Sequence, residues 1–106
     1  MIKKYQVYFY IGELTNIFKQ PFEIGQLIIN NKRFILIDSL TRKQKEIKNI
    51  FSISLDTIVT SNIIRIDTMN EVIYISASSK IFPKSYNSFG QITNNITTNK
   101  IYKEMK

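Results

Sequence analysis

The sequence predicts a mainly β fold, a small antiparallel barrel or sandwich of about seven strands capped by one C-terminal α-helix. Three observations predict it. Isoleucine supplies 21 of the 106 residues, and β-branched side chains, stiff at χ1, suit a pleated, half-buried surface. Short apolar runs are separated by segments with turn chemistry as far as Ala77. Beyond Ser78 the apolar spacing changes to three and four, as on one face of a helix.

The elements follow in order. Aromatic and β-branched residues from Val7 to Ile11 predict a first strand over 4–14, which Pro21 breaks. Tyr5, Tyr8 and Tyr10 read as lying on one half-buried face of that strand, with hydroxyls reaching solvent. Phe22–Ile29 and Lys32–Asp38 are the next two strands, and Asn30-Asn31 between them suits a two-residue type I′ turn because asparagine tolerates positive φ. Residues 39–48 are a polar, basic connection with a strand starting near Gln44. Ile50–Thr60 is a strand with a bulge or bend expected near Asp56. Ser61-Asn62 is expected as a turn, and Ile63–Asp67 and Glu71–Ala77 are strands joined by Thr68-Met69-Asn70. A helix is expected over about 83–104, with Pro83 in its first turn. Phe89, Ile92 and Ile96 should face the sheet; Asn, Thr, Ser and Gly90 encode the helix weakly, and Ile101 and Tyr102 fall off that face, so the end beyond Ile96 should fray or kink.

One domain over residues 1–106 accounts for this length. The chain has neither cysteine nor histidine, which excludes disulfides, thiolate metal sites and the usual general base, zinc ligand and pH switch. No cofactor and no metal are expected. No apolar run approaches the roughly 18–20 residues of a membrane span. The charged start Met-Ile-Lys-Lys is followed by no apolar h-region or small-residue cleavage site, so the cytoplasm is the expected location, with the membrane periphery as the alternative.

The stretch Gly25-Gln26-Leu27-Ile28-Ile29-Asn30-Asn31-Lys32-Arg33-Phe34-Ile35-Leu36 resembles the hairpin of the pleckstrin-homology-like superfamily, in particular its bacterial PH and GRAM branches. That hairpin runs Gly-x-Leu-x-Leu-Thr-Asn-Lys-Arg-Leu. Here Gly25, Leu27, Asn31, Lys32 and Arg33 match, while Asn30 and Phe34 stand where threonine and leucine are usual. Asp56-Thr57-Ile58 is similar to a later step of the family, so the likeness covers about residues 22–96. The resemblance implies a helix-capped barrel and leaves the function open between lipid binding and protein docking.

Chemistry has few candidates. The carboxylates Glu13, Glu23, Asp38, Glu46, Asp56, Asp67, Glu71 and Glu104 show no metal-loop or paired-acid spacing, and the three glycines do not cluster. An enzyme is not expected. The formal charge is +7. Lys32, Arg33, Arg42, Lys43, Lys45 and Lys48 lie within 17 residues that also hold Asp38 and Glu46. They are the candidate anion- or partner-binding residues. Such a segment can be a solvated loop, or it can meet anionic headgroups at about 1 kcal/mol per Lys or Arg near the surface. Nucleic acid is a weaker candidate, since residues 35–50 hold no aromatic on which bases could stack. The expected role is a non-catalytic binding or scaffold domain that docks a protein partner. Anionic membrane is the first alternative and nucleic acid the second, and no small-molecule substrate is evident.

Overall fold

The computed structural model describes residues 2–13, 22–58, 61–77 and 88–106, with the backbone alone at 58 and 88–93. Seven strands and one helix follow in order: β1 Ile2–Ile11, β2 Glu23–Asn30, β3 Arg33–Asp38, β4 Gln44–Ile47, β5 Ile50–Ile58, β6 Ser61–Thr68, β7 Val72–Ser76 and α1 Ser88–Met105. The strands form one antiparallel sheet in the order β4-β3-β2-β1-β7-β6-β5, which does not close. β1 sits at its centre, pairing with β2 and, over Tyr8↔Ser76 to Ile11↔Ile73, with β7.

The period of two sorts the isoleucines and their neighbours. Val7 and Phe9, Leu27 and Ile29, Phe34 and Leu36, Ile64 and Ile66, and Ile73 and Ile75 all turn to one face and form the main core. Gly25 belongs to that face. A Cβ there would stand 2.5 Å from the Ile37 carbonyl oxygen and 2.7 Å from the Phe9 ring, so only glycine lets β2 approach so closely. The opposite face carries a smaller cluster of Ile63 and Tyr74 with Tyr10, Phe22 and Val72. Tyr5 packs on the main core, whereas Tyr10 lies in the second cluster, so the tyrosines do not share one face: strand parity separates residue 5 from residues 8 and 10.

Several boundaries differ from the sequence reading. β1 begins at Ile2. The β2–β3 turn is Asn31-Lys32, closed by Asn30↔Arg33. Asn31 has φ 58° but Lys32 is not left-handed, whereas type I′ requires positive φ at both positions. The β5 bulge lies between Ile50 and Ser52, leaving Phe51 unpaired, and the register through Asp56 is regular. Ser61 and Asn62 are in β6, paired with Ile58 and Thr57. The β6–β7 turn is as expected, with the Thr68 hydroxyl donating to the Glu71 carbonyl at 2.8 Å.

The helix is the largest correction. It runs unbroken to Met105, and among its described side chains those buried are Thr98, Ile101 and Met105. Ile96 is 63% exposed. Two positions advance a helix by about 200°, so Ile96 and Thr98 point in opposite directions. The side chains of Phe89 and Ile92 lie outside the described residues, as does Pro83. Thr98 is tolerated in the core because its hydroxyl donates to the Asn94 carbonyl at 2.9 Å and accepts the Ala77 N–H at 3.0 Å. Asn95 accepts the Asn62 N–H, and Asn99 accepts the Asn62 side-chain amide, both at 2.8 Å. Polar bonds thus dock the middle of the helix on β6, and Ile101 and Met105 dock its end on the core. No described helix is long and apolar enough to cross a membrane.

Candidate functional site

The six basic candidates all belong to the β2–β3 turn, β3, the β3–β4 loop and β4, but the hairpin divides them. Lys32 and Arg33 open β3, and Lys48 follows Ile47, which pairs with Phe34 at that same end. Arg42 and Lys43 lie in the loop at the far end. Five residues of β3, 34–38, separate Arg33 from that loop, roughly 17 Å. They therefore do not form one surface.

Two of the six are already paired. The Arg33 guanidinium donates to both Glu46 oxygens, at 2.9 and 3.4 Å, and this contact holds the Glu46 carboxyl below its ordinary range. Lys45 stands opposite Leu36 in the register, so it projects on the core side of the sheet edge, where it forms an ion pair with Glu71. Lys32, Arg42, Lys43 and Lys48 are exposed.

Asp38 shapes the loop that carries Arg42 and Lys43. Its Oδ1 accepts the Leu40 N–H at 2.8 Å and the Thr41 N–H at 3.2 Å, and its carbonyl accepts the Arg42 N–H at 2.9 Å. Arg42 takes φ 63° to complete the turn. The backbone bonds from Leu40 and Thr41 are the chief reason that the Asp38 carboxyl ionises below its usual range. The turn leaves Leu40 87% exposed beside two cations, a feature that reading charge alone missed.

Asp38 also meets Glu23. The sequence shows no paired-acid spacing, yet the β2–β3 register sets Gly25 opposite Asp38 and brings the two carboxyls into hydrogen bonding. Burial, then the bond to Asp38, then its charge push the Glu23 carboxyl up. The pair stands at the mouth of a cavity of about 360 Å³ floored by Phe9, Ile11 and Leu36, with Lys43 on its rim. Two carboxyls can share a proton there. No group of three or more acidic side chains that could hold a metal occurs among the described residues.

An open sheet has two edges, and they differ. β4 has four residues, Gln-Lys-Glu-Ile, followed by Lys48: a short, charged edge of the kind that discourages strand pairing. β5 has nine, Ile-Phe-Ser-Ile-Ser-Leu-Asp-Thr-Ile, with one charge, no proline and no lysine. Among the described residues nothing pairs with its outer edge. Phe51 is 70% exposed at its start.

Comparison with known proteins finds no matching family model, no matching curated protein and no matching solved structure.

Proposed function

We propose that this chain is a non-catalytic, pleckstrin-homology-like docking module that takes an extended segment of a partner protein as an additional strand on β5. The carrying observation is the long, nearly uncharged β5 edge, which lacks the devices that blunt the β4 edge. Main-chain bonds to such an edge supply affinity, and pockets for alternate side chains supply specificity. The meander of seven strands with a helix over the core supports the family reading.

A second reading rests on the β3–β4 loop. Leu40, exposed and followed by Arg42 and Lys43, suits shallow contact with an anionic membrane.

Peptides selected from a random displayed library test the first reading. A bound peptide should slow amide exchange along Ser52–Thr57 and not in β4. The variant with Arg42, Lys43, Lys45 and Lys48 all changed to Ala should bind it equally well. Protection confined to residues 38–43, lost in that variant, would move the function to the loop.

A further inference from the structure

We infer that the segment the β5 edge accepts is β5 of a second copy of this chain, paired antiparallel about a two-fold axis at Ser54. This rests on the strand-docking reading and names its occupant. Three observations lead to it. The first is self-complementarity. With Ser54 opposite its own counterpart, Ile53 meets Leu55, Ser52 meets Asp56, and Phe51 meets Thr57, each in both directions. Ile53 and Leu55 oppose each other, apolar against apolar, and the Ser52 hydroxyl, which donates to Asp67 in the single chain, stands opposite the Asp56 carboxylate. Every such pair joins residues of equal parity, so the outward backbone groups of one copy face those of the other.

The second is the state of those side chains. Ile53 and Leu55 are only half covered at the margin of the core. Asp56 makes no hydrogen bond or ion pair among the described residues. Phe51, left over by the bulge, has no cross-strand neighbour within the chain. In the paired arrangement it lies opposite Thr57 of the second copy. Thr57 pairs with Asn62, whose backbone is bonded to Asn95. Phe51, 70% exposed in the single chain, would gain cover from the second copy there.

The third is charge. The chain carries +7, but the described β5 residues carry only the one negative charge of Asp56. Two like-charged molecules can approach along this edge with the least local repulsion, and salt should tighten the association by screening the remainder.

Sedimentation of the wild type and of two variants at the axis tests the inference. The wild type should be a concentration-dependent dimer that is tighter at high salt. Ser54→Lys and Ser54→Glu each set like charges face to face, and each alone should dimerise at least about tenfold more weakly. Mixed in equal amounts, they should recover a one-to-one heterodimer, an effect that a mere loss of fold does not produce. Phe51→Asp, at an exposed position, should also weaken the dimer while its circular dichroism stays unchanged. A dimer indifferent to all three substitutions would overturn the inference. So would a wild type that stays monomeric at millimolar concentration. If that monomer still binds an extended peptide along β5, the docking reading survives the loss of self-pairing; if it binds none, both fall.

Discussion

The hydroxyl of Tyr5 donates to Oε2 of Glu104, and Lys3 donates to the other oxygen of the same carboxylate. One acidic side chain in the last helical turn is thereby bound to both ends of a three-residue span in β1. Burial chiefly, then the bond and charge of Glu104, push the Tyr5 phenol up to about 12. For Glu104 burial works against ionisation, but the bonds from Lys3 and Tyr5 outweigh it and hold the carboxyl below its ordinary value.

A pH window follows from these directions. The lowered carboxyl contributes stability above its ordinary value of 4.5 that is lost as pH falls through the folded-state value. The raised phenol contributes stability below 10.0 that is lost as pH rises through about 12. Thermal melts across pH should show both limbs. Tyr5→Phe should flatten the alkaline limb, and Glu104→Gln should flatten both. An unaltered alkaline limb in Tyr5→Phe would refute this role for the bond.

The helix offers a contrast between two isoleucines. Ile101 is fully buried, and Ile101→Ala should cost about 2–5 kcal/mol in urea unfolding. Ile96→Ala should change stability by no more than about 0.5 kcal/mol at concentrations where the chain is monomeric. Equal losses at the two positions would contradict the observed helix face.

Glu23 and Asp38 should titrate apart. Carboxyl chemical shifts should place Glu23 above and Asp38 below their ordinary values. In Glu23→Gln, Asp38 should stay low, because the backbone N–H groups of Leu40 and Thr41 are its main cause. Asp38→Asn should instead speed amide exchange at residues 40 and 41. An Asp38 that returns to its ordinary value once Glu23 is replaced would show that the carboxyl pair, not the turn, governs it.

Vesicle sedimentation weighs the loop. With Lys45 engaged by Glu71 and the remaining cations split between two ends, binding to anionic vesicles should be weak and little altered by Leu40→Ser. Strong binding at low salt that disappears in Leu40→Ser would favour the membrane reading instead.

The strands were legible because most are β-branched or aromatic runs, with burial alternating plainly in β1 and β2, and Asn, Asp and Ser mark most of the turns between them. Positions set by pairing across the sheet were not. The Asn30-Asn31 pair points to a turn, but only the Asn30↔Arg33 closure decides which two residues form it. Glu23 and Asp38 are 15 positions apart and meet through the β2–β3 register, which no spacing rule reports. At Ile96 the helix misled: its spacing from residues 89 and 92 suggests a stripe, while the described contact uses Thr98, whose hydroxyl accepts the Ala77 N–H from across the fold. The basic residues were visible as a cluster along the chain, but an extended hairpin carries sequence neighbours to opposite ends.

The central position of β1 also shapes the route by which the sheet is assembled. β1 to β4 can form through successive hairpins, and so can β5 to β7, the longest connection being the 11 residues between Ile11 and Glu23. Among the described strands, the four-pair ladder between β1 and β7 is the strand pairing that joins the two sets, and its partners are separated by more than half the chain. The entropy of that closure must be met before the core between the two sets exists. Folding should therefore wait on Tyr8–Ile11 finding Ile73–Ser76, and substitutions in that ladder should slow refolding more than equally destabilising ones in the β2–β3 hairpin.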